Sequence, residues 1–397
     1  MLKPVTVGPG CRSSITLNSL LKANPLNKYI ILKNEVIMPL IGLGTFLAKG
    51  DEVQTAIQAA LKCGIRHIDT AAVYKNEQDV AEALRKSTIP REEVFITTKI
   101  SPKSQGRVRA AEACRNLLRN LDTDYIDLVL IHWPGSAKLD STSDQNVVLR
   151  QETWEVLEEY YHKGVFRAIG VSNYEPCHLE PMMIRSKSSP KAIPPLVNQI
   201  EVHPRWPNRA VREYNSHNGI VTVAYSSLAC GNLLNDPTVL EIAHREGVAP
   251  AVLLLRWGLQ KQCLILPKSV NPSRISTCFA PDRVMKEPAL GEGTEKEQTA
   301  RQDTEEEAAM EVESRGQKEA EKGKGDVEGE GSTEEDEKEG RKKDGKGRKR
   351  PVYGRPKEKV CCWPAMPRLI SEAAEKALDN LGEKEPEKFC WDPRIVV

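Results

Sequence analysis

No stretch of this sequence approaches the ~20 consecutive apolar residues that a membrane helix needs, and no convincing secretory leader opens it. Net charge is also missing. Basic and acidic residues number 57 and 56, so bulk electrostatics favours neither nucleic acid nor a membrane surface. The ten cysteines form no CxxC, and no Cys/His set has zinc-finger spacing. Scattered thiols in a chain this long fit a reducing compartment better than a disulfide scaffold, which makes a cytoplasmic protein the expectation. Aromatic residues are scarce, at 5%. That average mixes two populations, one patterned like a folded domain and one that is not.

Residues 1–27 hold Lys3, Arg12, Lys22 and no acidic residue. This is a weak likeness to a transit peptide, and a disordered N-terminal extension is the simpler expectation. From Tyr29 to about Ile275, short apolar runs alternate with helical patterns. The strand-like runs are IGLGT (41–45), RHIDT (66–70), VFITTK (94–99), IDLVLIH (126–132), RAIGVS (167–172), LVNQIE (196–201), IVTVAY (220–225) and LILPK (264–268). They are short and often β-branched, as parallel strands buried on both faces should be. Helical stripes lie between them: Val53, Ile57, Ala60 and Leu61 before a Gly64 stop, a second over 107–121, a third over 150–163, and a fourth opened by Pro250. Eight strand candidates alternating with helices predict a single α/β domain, a (β/α)8 TIM barrel, with an open doubly wound sheet as the competing arrangement. The barrel is expected over 28–280. GLGTFL lacks the third glycine of a dinucleotide fingerprint, so Gly42 and Gly44 read as a tight strand end.

After Phe279 the composition turns to Glu, Lys and Gly with almost no large apolar residue. Residues 281–365 therefore read as a disordered low-complexity insertion, unable to bury enough surface to offset chain entropy. Its basic stretch, 340–359, is either a nucleic-acid or nuclear-localisation tract or the counter-charge of a polyampholyte; the near-neutral total favours the latter, so nucleic acid is not the expected partner. Pattern resumes over 366–397, where Ala374, Ala377, Leu378 and Leu381 form a stripe between Ser371 and Gly382.

In a parallel barrel the side chains that reach a ligand sit at the C-terminal strand ends and in the loops beyond. Those positions hold Asp69, Tyr74, Lys99 and His132. An ammonium beside a phenol favours the phenolate and lowers the tyrosine pKa. A carboxylate would hold that ammonium, and a histidine would orient a carbonyl oxygen, so the set fits proton delivery to a developing alkoxide. Singly, each residue has a structural role available to it; together, at consecutive strand ends, they point to catalysis. His67 and Asp69 share one strand face and raise the possibility of a metal site, but nothing completes a coordination sphere, and no metal is expected.

These residues sit in motifs that resemble the aldo-keto reductases, NADPH-dependent carbonyl reductases on a (β/α)8 barrel. MPLIGLGTF (38–46), GIRHIDTAAVYKNEQDVAEAL (64–84), DYIDLVLIHWPG (124–135), GVFRAIGVSNY (164–174) and LPKSVNPSRI (266–275) carry the likeness in the family's order. The resemblance implies reduction of an aldehyde or ketone by hydride from NADP(H), with Tyr74 as general acid assisted by Lys99 and Asp69, and His132 orienting the carbonyl. It implies that Ser172, Asn173 and Gln199 hold the nicotinamide carboxamide and that Tyr225 stacks on its ring. Thr45 and Asp69 would also face the cofactor, Ser226 and Leu228 would line the pyrophosphate, and Lys268, Ser269 and Arg274 would take the 2′-phosphate. Phe46 and Trp133 would wall the substrate pocket. The ending LISEAAEKALDNLGEKEPEKFCWDP resembles the family's last helix and mouth-covering tail, which would place Trp391 near the substrate and make 366–397 part of the same domain.

Several positions depart from the family pattern. Phe46 stands where Trp is common. Thr277-Cys278 replaces a frequent Glu-Asn, which puts an adenine contact in doubt. The segment after Tyr225 is short, and the stretch 136–149 reads as a long mouth loop. A small-molecule carbonyl substrate, no membrane and a monomer are expected. The alternative is a non-catalytic NADPH-binding scaffold that uses the charged insertion to hold partners.

Overall fold

The computed structural model describes residues 29–286, 363, 366, 368–384, 386–390 and 393–396. All of them belong to one unit of the chain, residues 1–288 together with 358–397. The expectations for 1–27, for the basic stretch and for Trp391 lie outside the described residues.

A hairpin comes first: β1 (Tyr29–Ile31) pairs antiparallel with β2 (Ile37–Pro39). Met38 and Pro39, which open the motif MPLIGLGTF, are in this hairpin and not in the barrel strand that follows. Glu35, at φ 68°, turns the chain between the two strands. Eight parallel strands follow: β3 (Leu43–Gly44), β4 (His67–Asp69), β5 (Phe95–Ile100), β6 (Ile126–Ile131), β7 (Phe166–Ser172), β8 (Val197–Glu201), β9 (Val221–Tyr225) and β10 (Leu264–Ile265). They hydrogen-bond in sequence order. The cylinder closes where Ile41 bridges Ile265 in parallel register and Gly44 N–H donates to Pro267 O at 2.9 Å. The fold is a (β/α)8 barrel, and closure rules out the open sheet.

The outer helices are α1 (Gly50–Lys62), α2 (Glu77–Lys86), α3 (Arg107–Asn120), α4 (Gln145–His162), α5 (Pro176–Ser188), α6 (Arg209–Asn218), α7 (Pro237–Arg245) and α8 (Pro250–Gln260). Their starts follow ordinary capping chemistry. Asp236 accepts from Thr238 N and Val239 N ahead of Pro237, satisfying donors that the first helical turn leaves free. Because α4 begins at Gln145, the expected mouth loop over 136–149 ends earlier than its composition implied. Asn146 holds the shortened loop in place, accepting from Ser136 N at 2.9 Å and donating to Asp140 O at 2.9 Å.

Strand alternation fills the interior, and one glycine sets the limit on its packing. A Cβ at Gly170 of β7 would lie 2.5 Å from Val197 O and 2.8 Å from Leu130 Cδ2. A backbone carbonyl inside a parallel ladder cannot step aside, so overpacking here costs about 1–3 kcal/mol. Gly170→Ala is expected to lower the unfolding free energy by that amount, seen as a lower urea midpoint with an unchanged m-value. An unchanged midpoint would show that β7 and β8 can separate freely.

After β10 the chain turns through Pro272–Arg274 and Ile275–Phe279. Residues 281–286, assigned from composition to the insertion, belong to the folded unit. Pro281–Val284 is helical, and Pro281 and Val284 are buried. Val284 and Met285 join the apolar core. The last helix, α9 (Glu372–Lys384), buries Ala374, Leu378 and Gly382, and Leu369 and Ile370 before it are fully buried. Asp379 accepts from Trp257 Nε1 at 2.9 Å and from Lys261 Nζ at 2.6 Å.

Arg256 joins residues 283–286 to Leu369. It is 4% exposed, and its guanidinium donates to Val284 O, Arg283 O and Lys286 O on one side and to Leu369 O on the other. Chain segments far apart in sequence are thus held by a single side chain. Closing a longer loop between such neighbouring segments costs only about 0.6 kcal/mol per doubling of length.

Candidate active site

Four side chains meet at the C-terminal mouth of the barrel. Lys99, near the end of β5, is fully buried, and its Nζ donates to Asp69 Oδ1 at 2.5 Å and to Thr70 O at 2.9 Å. The other Asp69 oxygen accepts from Gln199 Nε2 at 2.8 Å. Both carboxylate oxygens are thus held, as a buried charge requires. Tyr74 ends a 3-10 turn, Ala72–Tyr74, that follows β4. Its ring centre lies 5.2 Å from Lys99 Nζ. The His132 ring stands edge-on at 5.8 Å, and Phe46, 54% exposed on the rim, lies 5.1 Å away. Thr45 backs this corner: its Oγ1 donates to Asp69 O at 2.9 Å. That hydroxyl, expected to face a cofactor, keeps its acceptor lone pairs while donating to the strand end.

The electrostatics departs from the simple expectation for Tyr74. Its phenol is held well above the usual tyrosine range, first by burial, then by the Asp69 carboxylate and the neighbouring Cys390. The expected lowering by Lys99 does not appear, because the ammonium is already paired with Asp69 and a buried phenolate is costly. The phenol is therefore a proton donor at neutral pH. Burial pulls Lys99 below its ordinary value, with Asp69 opposing the shift. Burial and the Lys99 charge push His132 down to about 3, so its ring is neutral. His132 Nδ1 is buried without a hydrogen-bond partner among the described residues.

A second group lines the ends of β7 to β9. Ser172 Oγ donates to Gln199 O at 2.8 Å. Asn173 Nδ2 donates to His132 O at 3.0 Å, and Tyr225 OH donates to Asn173 Oδ1 at 2.7 Å. Asn173 and Ser226 have φ of 63° and 51°, a left-handed conformation that non-glycine residues adopt mainly where surrounding structure imposes it. Ser226 and Leu228 are half-buried in the loop after β9. Beyond β10, Lys268 is exposed and Ser269 and Arg274 are half-buried. Ser269 Oγ accepts from Asn271 N at 3.0 Å. Asn271 in turn caps Pro272–Arg274 by accepting from Ser273 N and Arg274 N. Thr277 Oγ1 donates to Ser273 O at 2.8 Å and Cys278 is buried, so the pair that replaces Glu-Asn serves this turn. Trp133 is half-buried, its carbonyl accepting from Gln105 Nε2 at 2.7 Å.

The donor set suits a dinucleotide. Lys268 and Arg274 supply two cations near a capped turn. His67, considered with Asp69 as a metal pair, instead packs inside the barrel. Its Nε2 bonds Thr97 Oγ1 at 2.9 Å, and an added Cβ at Gly42 would lie 2.6 Å from its Nδ1.

Among the buried carboxylates that the sequence did not single out, Glu77 and Glu201 lie nearest the C-terminal strand ends. Glu77, after Tyr74, accepts from Thr98 Oγ1 at 2.6 Å and Asn120 Nδ2 at 3.1 Å. Glu201, ending β8, is fully buried and receives the C-terminal tail: Lys388 Nζ at 2.7 Å, Phe389 N at 2.8 Å and Cys390 N at 3.2 Å. The one available signal was a charged residue closing the otherwise uncharged run LVNQIE.

Three histidines bear on acid stability. Burial lowers His67 and His132 to about 3 and His178 to about 4. For His178 burial outweighs the opposing hydrogen bond to Val396 O. Each ring is neutral in the folded chain yet takes up a proton below about 6.5 when unfolded. The unfolded state then binds more protons, so the folded state is most stable above that pH and loses stability as pH falls toward 3–4. Urea midpoints measured from about pH 8 down to about pH 4 should fall accordingly, and His67→Gln should flatten the slope. A slope unaffected by that change would remove His67 from the account.

A family model described as the Aldo/keto reductase family matches residues 40–280. A glyoxal reductase of Bacillus subtilis is 39% identical over 251 residues, covering 63% of this chain and 85% of that protein. A methylglyoxal reductase of Escherichia coli is 39% identical over 259 residues, covering 65% and 88%. Among solved structures, an aldo/keto reductase from Brucella melitensis superposes with a TM-score of 0.57 at 35% identity, covering 62% of this chain and 90% of its own. The aldose reductase from Schistosoma japonicum gives 0.57 at 33% identity, covering 68% and 89%.

Proposed function

The chain belongs to the aldo/keto reductase family, whose members carry out nicotinamide-dependent carbonyl reduction, and on that premise we propose that it reduces a small aldehyde or ketone to the alcohol with NADPH. The observation that carries this reading is the buried Lys99–Asp69 pair, 2.5 Å apart, set beside the Tyr74 and His132 rings. When bound, the cofactor supplies a hydride to the carbonyl carbon. The protein's own residues do the rest.

His132 orients the carbonyl oxygen through a ring N–H, which a neutral imidazole still possesses. Tyr74 donates its phenolic proton to that oxygen as negative charge builds there. Lys99 then stabilises the phenolate, with Asp69 holding the ammonium in place and Gln199 holding Asp69. Ser172, Asn173 and Gln199 would hold the carboxamide, and Tyr225, anchored through its hydroxyl to Asn173, would present its ring to the nicotinamide. Ser226 and Leu228 would line the pyrophosphate. Lys268, Ser269 and Arg274 suit a dianionic 2′-phosphate, which favours NADPH over NADH. Phe46 and Trp133 would shape the carbonyl pocket.

Two relatives named for glyoxal and methylglyoxal make small oxoaldehydes the first substrates to try. Loss of NADPH absorbance on adding such aldehydes to the purified full chain tests the reading. NADPH binding without turnover across aldehydes and ketones would reject it in favour of a binding role.

A further inference from the structure

Two cysteines lie together beside the mouth. Cys230 is exposed in the loop after β9, where Ala229, Cys230 and Gly231 have φ of 52°, 55° and 92°. Cys390 is half-buried on the tail. Both sulfurs reach one hydroxyl: Ser226 Oγ lies 3.7 Å from Cys230 Sγ and 3.5 Å from Cys390 Sγ. The two thiols are also within hydrogen-bond reach of each other, and that contact, with burial, holds the Cys390 thiol above its ordinary range.

The backbone carrying Cys390 is fixed. Its own N–H and that of Phe389 are bound by Glu201, and farther along the tail Val396 O meets His178 Nε2 at 2.9 Å. Cys390 also raises the pKa of both Tyr74 and Tyr225, which places its sulfur beside the reacting side of the mouth. We propose that Cys230 and Cys390 are an oxidisable pair whose disulfide staples the C-terminal tail to the loop after β9.

The oxidant is a peroxide. The exposed Cys230 thiolate attacks a peroxide oxygen and becomes a sulfenic acid, expelling hydroxide, which takes a proton to become water. The Cys390 sulfur then attacks the sulfenic sulfur, the S–S bond forms, and a second water leaves. Two thiols are oxidised, one hydrogen peroxide is reduced and two waters result. The shared Ser226 hydroxyl shows that both sulfurs occupy one site, and closure to a ~2.0 Å bond asks for side-chain rotation and adjustment of the positive-φ loop. A bond of this kind fits a reducing compartment, where disulfides are transient rather than structural. It does not depend on the identity of the substrate.

The test treats the reduced full chain with hydrogen peroxide, caps remaining thiols with iodoacetamide and maps peptides by mass. The expected product is one linked peptide pair containing Cys230 and Cys390, two hydrogens lighter than the two thiol peptides together. It should revert fully with dithiothreitol and be absent from Cys230→Ser and from Cys390→Ser. Because Cys230 is exposed, its serine variant should fold, and circular dichroism checks that it does. Peroxide that yields only sulfinic or sulfonic acids at these positions, or that links either cysteine to a different one, overturns the proposal.

Discussion

Tyr74→Phe should lower kcat for aldehyde reduction by at least about a hundredfold, the lower end of what a positioned general acid contributes, with little change in KM. The substitution removes only the hydroxyl. The ring keeps its place against Phe46 at 5.1 Å, His132 at 5.8 Å and the Lys99 ammonium at 5.2 Å, so binding and folding should survive. An interaction made only as charge develops on the carbonyl oxygen shows up in kcat and kcat/KM equally. Tyr74 is a cleaner probe than Lys99. Removing Lys99 strands Asp69 as an uncompensated buried charge, and its effects on folding would mingle with its effects on turnover. Single-turnover rates with saturating NADPH decide the matter. A Phe variant within a few-fold of the parent would mean that another group supplies the proton.

Glu201→Gln should release the tail. Burial alone would raise this carboxyl, but hydrogen bonds from His203 and Lys388, the Lys388 charge and the Phe389 N–H outweigh it and hold it at about 2. Its folded value lies below its unfolded one. The latch therefore contributes its stability above the unfolded value, near 4.5, and loses it as pH falls toward 2. At neutral pH, glutamine leaves Lys388 without its counter-ion in a site where the carboxylate is fully buried and Lys388 only 11% exposed. Breaking a buried pair from one side costs about 3 kcal/mol at the lower end of the usual range, and the lower end applies because the ammonium can turn toward water. Amide exchange over 386–396 should accelerate by more than tenfold while β5 and β6 remain protected. Equal acceleration in the tail and the central strands would mean that Glu201 supports the barrel as a whole rather than the tail.

The residues themselves made much of this legible. Parallel strands buried on both faces read as short β-branched runs, and strand ends in a barrel point to one mouth. Asp69, Lys99 and His132 could therefore be placed together from spacing and topology before any coordinates. The compositional break after Phe279 is plain in the sequence itself, where apolar residues give way to Glu, Lys and Gly. Boundaries were less legible. The hairpin residues Met38 and Pro39 look like a continuation of LIGLG because both segments are apolar, and only antiparallel pairing to Tyr29 and Ile30 separates them. Pro281 and Val284 sit on the edge of a charged run, and their burial depends on neighbours elsewhere in the chain.

What the tertiary structure alone decided were contacts between distant residues. The sequence has no way to state that Gln199 takes the second oxygen of Asp69, that Arg256 binds carbonyls of both Val284 and Leu369, or that Glu201 holds Phe389 and Cys390. Nor does it show that the Tyr74 phenol is raised rather than lowered, because that outcome depends on how completely Asp69 neutralises Lys99 and how much water the mouth excludes. Local pattern determines which face of a strand or helix is buried, since that follows from a period of two or 3.6 residues. Which buried charge meets which partner is settled only when the barrel closes, because desolvation makes each such group depend on the neighbours that closure brings to it.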